Sequence, residues 1–327
     1  MSIHFDELGF GTEAWNIRWS QVIAVGIRTT ACGPFAEDLF WQFLVPGDVV
    51  ELPGALVDEA ALAVMQRRLP GLDSLKLVSA MGSTDERVFR LWHVSESRSR
   101  WDDATFGARF ATLVGRLGGD ASRAPERFFG LRAAWSANGR RYHDLEHLTD
   151  CLRTLDATRV EPGIADIAEL ALWYHDAVYE PRARDCEERS AALLSEDSAT
   201  LDIPRASALA AAGCVRSTAH LGGEEPRGAA AQLVADVDLS ILGRDVLRFL
   251  EFEYAVGEEY ACVPSAMYFL ARGRFLARLL ASPAIFRTDP FRERYEARAR
   301  ANITALLRSP RYRTHRWLGS LYGYFVE

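Results

Sequence analysis

The stretch that decides the fold reads RRYHDLEHLTDCLRTL at residues 140–155, and LALWYHDAVY follows at residues 170–179. Leucines recur at helical spacing in the first segment, so we predict an amphipathic helix that begins at His143. His143 and His147 are four residues apart, which places both rings on one face of that helix. The second segment ends the next apolar helix with a His-Asp step. Two successive helices therefore carry histidine and aspartate side chains beside apolar faces.

Helical spacing continues through most of the chain after residue 101. Proline or glycine stands where many of these segments should start or stop. The predicted helices cover residues 106–117, 126–136, 143–155, 164–178, 187–194 and 206–218, with several more up to residue 307.

The first hundred residues have a different pattern. Runs rich in β-branched and aromatic residues, separated by turn-forming residues, predict strands. These strands cover residues 21–30, 38–45, 49–52, 75–80 and 87–94, and one helix is predicted over residues 58–68. We therefore predict a mainly α protein in which a small α+β domain (residues 1–101) precedes an all-helical bundle (residues 102–327).

The composition indicates an ordinary soluble globular protein. The chain has 327 residues, of which 49% are hydrophobic and 25% charged, and its formal net charge is −7. This acidic balance argues against nucleic acid as the main partner. No segment approaches the roughly 18–20 apolar residues of a membrane span and no signal-peptide pattern opens the chain, so we expect a cytoplasmic protein. Five scattered cysteines without a C-x-x-C pair suggest neither a disulfide framework nor a thiolate zinc site.

A third informative segment, ADVDLSILG, occupies residues 235–243. It places Asp236 and Asp238 inside an apolar stretch of predicted helix. An ionised carboxylate is expensive to bury without a partner, and a divalent cation is one partner that satisfies it. The same reasoning applies to His175 and Asp176. Helix capping or ion pairing is the alternative explanation for these acids.

The order H…HD…D, formed here by His147, His175 with Asp176, and Asp238, resembles the HD superfamily of metal-dependent phosphohydrolases. The resemblance covers about residues 105–305, and the strings R-x-Y-H-x-x-x-H-L, W-Y-H-D-A-V-Y and D-x-D-L-S-I-L-G are similar to those of a bacterial branch of that superfamily. It implies a C-terminal HD-domain bundle in which these four residues are the metal ligands. Asp236 is the competing choice for the closing aspartate.

The resemblance also implies an activity. Two imidazoles and two carboxylates suit Mn²⁺, Fe²⁺, Co²⁺, Ni²⁺ or Zn²⁺ better than Mg²⁺. We expect one or two such ions per chain. Such an ion would lower the pKa of a bound water and neutralise charge at phosphorus. The expected activity is hydrolysis of a small, nucleotide-like phosphate monoester or diester. His143 matches a histidine that protonates the leaving oxygen in distant cyclic-nucleotide phosphodiesterases, so we expect it to be catalytic together with Asp176.

Other residues have two interpretations each. His220, with Asp236, either binds a second metal ion or a phosphate, or is simply packed. Glu187 either interacts favourably with its helix dipole or orients the attacking water. Arg141, with Arg274 as second choice, either contacts the substrate phosphate or lies on a helix surface.

Two other functions are compatible with the sequence. The first is a non-catalytic sensor, in which the helical domain holds a metal ion or nucleotide and the N-terminal domain binds a partner. The second is a di-iron oxygenase, with His143 and His220 as extra ligands. A small phosphorylated substrate is the expected partner, a membrane is not, and a homo-oligomer is compatible with everything above.

Overall fold

The computed structural model describes residues 3–30, 38–45, 48–83, 87–93, 101–219, 226–309 and Tyr312. The chain divides into two compact units, Met1–Ser99 with Val246–Glu251, and Arg100–Asp245 with Phe252–Glu327. The described residues are mainly helical, and the strands belong to the first unit. The predicted fold class, mainly α with a small preceding domain, agrees with this architecture.

The first unit contains two antiparallel sheets among its described residues. The smaller sheet, which the sequence analysis did not predict, has very short strands: β1 (His4–Phe5), β2 (Gly9–Gly11) and β3 (Asn16–Arg18). The larger sheet has the order β6-β5-β4-β7 and consists of β4 (Ala24–Thr29), β5 (Leu39–Val45), β6 (Asp48–Pro53) and β7 (Arg87–His93). Strand predictions for these four segments are confirmed. Val25 pairs with Phe43 and Trp92, and all three are buried in the core of the unit.

One strand prediction is wrong. Residues 75–80 lie in a helix, α2 (Ser74–Met81), which follows the correctly predicted α1 (Glu59–Arg68). The Asp73 carboxylate caps α2 by accepting hydrogen bonds from the backbone N–H groups of Leu75 and Lys76. A short apolar run is ambiguous between strand and helix, and here the cap favours the helix because it satisfies N–H groups of the first turn.

The second unit is helical throughout its described residues. Its helices are α3 (Asp103–Arg116), α4 (Ala124–Trp135), α5 (Leu145–Asp156), α6 (Pro162–Tyr174), α7 (Cys186–Thr200), α8 (Arg205–Ser217), α9 (Ala229–Leu239), the end of α10 (Val246–Glu259), α11 (Ser265–Ala281), α12 (Asp289–Phe291) and α13 (Ala297–Arg308). None of the helices that the structure describes is both long and apolar enough to cross a membrane. Helix α6 packs against α5, α8 and α9, and its residues 168–174 are all buried. Side chains of α5, α6 and α9 therefore meet inside this unit.

The start of α5 differs from the prediction. Asp144 has an extended backbone and accepts hydrogen bonds from the N–H groups of Glu146 and His147, so it is the N-cap and the helix begins at Leu145. His143 therefore precedes the helix and does not share a helical face with His147. The predicted leucine stripe at positions 145, 148, 152 and 155 is confirmed, because all four side chains are buried.

Candidate metal centre

Four of the predicted ligands meet between α5, the end of α6 and α9. His147 Nε2 lies 3.1 Å from His175 Nε2, 3.2 Å from Asp238 Oδ1 and 3.8 Å from Asp176 Oδ2. His175 Nε2 lies 3.2 Å from Asp176 Oδ2 and 3.7 Å from Asp238 Oδ1. Residues that are up to 91 positions apart in the chain thus present two nitrogens and two carboxylate oxygens to one point.

The cluster has a buried side and an accessible side. The side chains of His147 and His175 are 2% and 1% exposed, whereas those of Asp176 and Asp238 are 19% and 17% exposed. The two imidazoles therefore lie in the protein interior, and solvent reaches the centre where the carboxylates are.

The orientation of His175 suits a ligand. His175 is the C-cap of α6, and its Nδ1 lies 2.9 Å from the backbone carbonyl oxygen of Leu172. A carbonyl only accepts, so Nδ1 carries the proton and donates to it. Metal-binding histidines usually hold one ring nitrogen in this way, which leaves the lone pair of the other nitrogen free for the cation. Here the free nitrogen is the Nε2 that points into the cluster.

The spacing of the donors fits a transition-metal ion. Metal bonds of about 2.0–2.2 Å place neighbouring nitrogen and oxygen ligands roughly 2.8–3.6 Å apart in tetrahedral or octahedral sites. Three of the five separations above lie in that range, and the other two lie just beyond it. Burial lowers the pKa of His175, but the carboxylates of Asp176 and Asp238 outweigh burial and raise that pKa well above its ordinary value. The cluster therefore attracts positive charge, which a divalent cation supplies.

A cysteine belongs to the same group. The sulfur of Cys151, one turn after His147 on α5, lies with donor atoms of His147, His175 and Asp238 in a set whose members are all within 4.8 Å of one another. The pKa of the Cys151 thiol is raised well above its ordinary value, mainly by burial and secondly by the negative charge of Asp238. None of the five cysteines was predicted to belong to the site. The sequence spacing could have indicated this residue, because Cys151 follows His147 by four positions and therefore lies on the same helix face.

His143 lies at the edge of this cluster, in the turn before α5. Its ring centroid is 5.8 Å from that of His147, and its side chain is 19% exposed. Its Nδ1 lies 2.6 Å from Oε2 of Glu259, whose side chain is fully buried at the end of α10. An ionised carboxylate only accepts, so Nδ1 donates to Glu259 and Nε2 is left for another partner.

Glu259 also fixes the chain around His143. Its Oε1 accepts hydrogen bonds from three successive backbone N–H groups, those of Arg141, Tyr142 and His143, at 2.7–3.0 Å. The Tyr179 hydroxyl donates to Oε2 at 2.8 Å, and the Tyr179 ring stacks on the His143 imidazole. One carboxylate thus holds both the backbone and the ring of the histidine.

The charges of His143 and Glu259 stabilise each other, so the pKa values of the two groups shift in opposite directions. Burial raises the pKa of Glu259, but the charge of His143 and the hydrogen bonds that the carboxylate accepts outweigh burial and lower that pKa to about 2. Burial lowers the pKa of His143, but the carboxylates of Glu259 and Asp176 raise it further, so the net pKa is above its ordinary value. His143 therefore holds a second proton more tightly than a free histidine does.

Glu259 was not among the predicted site residues. It lies 116 positions from His143, in the segment EFEYAVGEE at residues 251–259, where it is one of four glutamates. Nothing local distinguishes it from its neighbours, because its role depends on a contact between distant helices.

A contact of Arg141 or Arg274 with the substrate phosphate stays a prediction. The Arg141 side chain is exposed, and within the described part of the chain its guanidinium donates to the Arg140 carbonyl oxygen at 3.5 Å. Arg274 is exposed on α11. An arginine that was not predicted, Arg140, contacts the turns beside the cluster: its guanidinium donates to the carbonyl oxygens of His143 at 2.6 Å and of Ala177 at 3.0 Å. Arg140 therefore joins the turn before α5 to the turn that follows the His175-Asp176 step.

The remaining predicted residues are separate from the cluster or outside the described residues. Asp236 is buried, and its carboxylate accepts hydrogen bonds from the backbone N–H groups of Arg287 and Thr288 and from the Thr288 hydroxyl. It anchors a loop, so Asp238 is the aspartate that faces the histidines. Glu187 is half-buried in the first turn of α7, with no hydrogen bond or ion pair to the cluster among the described residues. His220 lies outside the described residues.

A cavity of about 560 Å³ opens elsewhere on the second unit, between α3 and α6. Its charged side chains are paired with one another: Arg109 bonds Asp156 and Glu169, and Arg116 bonds Asp166 and Glu169. None of the cluster residues lines this cavity. Its polar groups are thus occupied by mutual ion pairs, and it does not mark the candidate site.

Comparisons of the chain with protein-family models, with curated proteins and with solved structures gave no match.

Proposed function

We propose that this chain is a metal-dependent phosphohydrolase of the HD type that hydrolyses a small phosphate ester. The observation that carries the proposal is the convergence of His147, His175, Asp176 and Asp238 within hydrogen-bonding distances. Their order in the chain is the H…HD…D order on which the resemblance rests. The mixed nitrogen and oxygen donors favour Mn²⁺, Fe²⁺, Co²⁺, Ni²⁺ or Zn²⁺ over Mg²⁺.

The four converging side chains would hold the ion, and hydrogen bonds position two of them. The Leu172 carbonyl fixes the tautomer of His175, and the Asp144 cap fixes the first turn of α5 that carries His147. A divalent ion, when bound there, supplies a Lewis acid that polarises phosphoryl oxygen and makes water nucleophilic at neutral pH. The partly exposed carboxylates leave that side open to a substrate.

His143 is the proton donor in the proposed reaction. Its Nδ1 donates to Glu259, so the second proton is bound at Nε2, and the Glu259 carboxylate favours that protonated form by raising the pKa of His143. In the hydrolysis, water gives up one proton to solvent and its oxygen forms the new bond to phosphorus. The bond from phosphorus to the leaving oxygen breaks, His143 Nε2 gives its proton to that oxygen, and the imidazole later regains a proton from solvent. A positioned general acid of this kind contributes about 10² to 10⁴-fold in rate.

The proposed substrate is a small, nucleotide-like phosphate monoester or diester. An ester with a poor leaving group benefits most from a proton donor, and His143 is the accessible acid beside the cluster. The guanidinium of Arg141, two residues before His143, is exposed on the same turn and suits a second phosphate contact.

The test is a phosphate-release assay on protein stripped of metal and reloaded separately with Mn²⁺, Co²⁺ and Zn²⁺. The panel contains linear nucleotides, cyclic nucleotides and aryl phosphates. We expect turnover that requires metal, is abolished in D238N together with metal binding, and falls by about 10² to 10⁴-fold in H143A with metal still bound. Wild-type protein that binds metal and hydrolyses no ester in the panel would contradict the proposed activity and favour the sensor. Failure to bind any metal would contradict the site itself.

A further inference from the structure

The position of Cys151 in the cluster is not explained by packing alone. It is one helical turn after His147 on α5, 2% exposed, and its sulfur lies 3.7 Å from His147 Nε2 and 3.8 Å from His147 Nδ1. Among the described residues, these two nitrogens are the hydrogen-bonding atoms that the sulfur contacts. The sulfur therefore faces the ligand group that contains His147.

The distances match those of a mixed thiolate and imidazole site. Zinc bonds sulfur at about 2.3 Å and histidine nitrogen at about 2.0–2.1 Å, so a tetrahedral ion holds these two atoms roughly 3.6 Å apart. The separation between Cys151 Sγ and His147 Nε2 is 3.7 Å. The sulfur belongs with both imidazoles and Asp238 to one set of potential donors, so it adds a soft ligand to the side chains of the centre.

The alternative for a buried cysteine is a small apolar side chain that fills space. Cys214 on α8 is the example in this protein: it is 4% exposed and belongs to no group of potential metal ligands among the described residues. Cys151 is equally buried but lies beside two imidazoles and a carboxylate. Coordination removes the thiol proton outright, so burial of the neutral thiol does not oppose binding of an ion.

We propose that Cys151 is a thiolate ligand of this centre, so that the site selects a thiophilic ion, Zn²⁺ or Co²⁺, over Mn²⁺ and Mg²⁺. This inference rests on the proposed metal centre and names the class of ion that it takes. Soft sulfur ligands favour zinc-like ions, whereas oxygen-rich sites favour magnesium and manganese. It revises the expectation, drawn from the spacing of the cysteines, that no thiolate takes part in a metal site.

Cobalt spectroscopy tests the ligand directly and without turnover. Metal-free wild type, C151S and C214S are titrated with Co²⁺ alone, and their absorption spectra are recorded. We expect visible cobalt bands in all three proteins, and an intense near-ultraviolet sulfur-to-cobalt band in wild type and C214S that is absent from C151S. C214S is the matched control, because it removes an equally buried thiol outside the cluster.

The outcomes separate this inference from the proposed function. Visible bands in wild type without the near-ultraviolet band would overturn the thiolate ligand and leave the metal centre standing. A near-ultraviolet band that persists in C151S would also overturn it. No cobalt uptake by wild type would overturn the metal centre and this inference together.

A second measurement does not depend on the folding of any variant. X-ray absorption of zinc-loaded wild type should contain one sulfur neighbour at about 2.3 Å, and a shell of nitrogen and oxygen alone would contradict the proposal. Where C151S is folded by circular dichroism, we expect its Zn²⁺ affinity to fall on the order of 10- to 100-fold, the range seen when supporting ligand contacts are removed. Its Mn²⁺ affinity should change much less, and equal losses for both ions would contradict thiolate selection.

Discussion

The imidazole of His143 and the carboxylate of Glu259 lie 2.6 Å apart, although 116 positions separate them in the chain. The contact joins the turn before α5 to the end of α10. Because the same carboxylate accepts three backbone N–H groups and the Tyr179 hydroxyl, its position is fixed from several sides. His143 is thereby both oriented and biased towards its protonated form.

Proton donation by His143 should depend on the charge of Glu259. E259Q removes the charge that raises the pKa of His143, so the fraction of protonated imidazole at neutral pH falls. We expect kcat to drop on the order of 10²-fold. Because the protonated form is the active one and is lost as the pH rises through its pKa, the basic limb of the pH profile should move to lower pH. E188Q, which removes an exposed glutamate paired with Arg216, is the control and should leave rate and profile unchanged.

The same substitution has a consequence for acid stability. The pKa of Glu259 is about 2, below the ordinary value of 4.5, so its stabilising contribution is complete above pH 4.5 and is lost as the pH falls towards 2. The linked free energy is on the order of 3 kcal/mol. In urea unfolding, wild type should therefore exceed E259Q in stability at pH 6, and the gap should narrow between pH 4.5 and 2. A gap that stays constant with pH would show that the carboxylate charge is not responsible.

Substitution of the two aspartates of α9 should have opposite effects on metal binding and on stability. D238A removes a donor from the cluster, so elemental analysis after dialysis should find little metal, while the free energy of unfolding of the metal-free protein changes little. D236A leaves the buried N–H groups of Arg287 and Thr288 without their acceptor, which should lower that free energy by about 1–3 kcal/mol with metal still bound. Loss of metal in D236A with retention in D238A would mean that Asp236 is the ligand.

Metal binding should release protons. His175 has a raised pKa in the metal-free protein, and an imidazole must be neutral at Nε2 to bind a cation. The apparent affinity should therefore fall as the pH is lowered, by about ten-fold per pH unit for each proton displaced. Isothermal titration calorimetry with Zn²⁺ in two buffers of different ionisation enthalpy counts the protons. A binding heat that is the same in both buffers would contradict proton release.

Arg140 and Arg141 are neighbours with different expected effects. R140K cannot bridge the carbonyl oxygens of His143 and Ala177 with one planar group, so the two turns of the site lose a fixed connection. We expect a lower kcat and a lower thermal midpoint for R140K. R141K keeps an exposed positive charge and should change KM more than kcat if Arg141 contacts the substrate phosphate. Equal and small effects of both substitutions would exclude a positioning role for Arg140.

Much of the fold followed from local patterns. The leucine stripe of α5, the apolar length of α6 and the alternating runs of β4 and β5 have the periods of the structures that they form, so their burial was predictable. The secondary-structure predictions failed where the local pattern was ambiguous or too short. The run at residues 75–80 suits either a strand or a helix, and capping by Asp73 makes it a helix. The strands β1 to β3 are only two or three residues long and carry too few positions for a periodic signal.

The sequence by itself determined which chemistry-bearing residues exist and in which order. His147 and Asp238 stand in helices and the His175-Asp176 step directly follows one, beside apolar faces where charge needs a partner. Only the tertiary structure decided that Asp238 and not Asp236 faces the histidines, and that Glu259, Cys151 and Arg140 belong to the site. The physical reason is that spacing along a helix specifies a face, whereas the partner of that face depends on how α5, α6, α9 and α10 pack. Long-range contacts such as His143 with Glu259 leave no periodic trace in the chain.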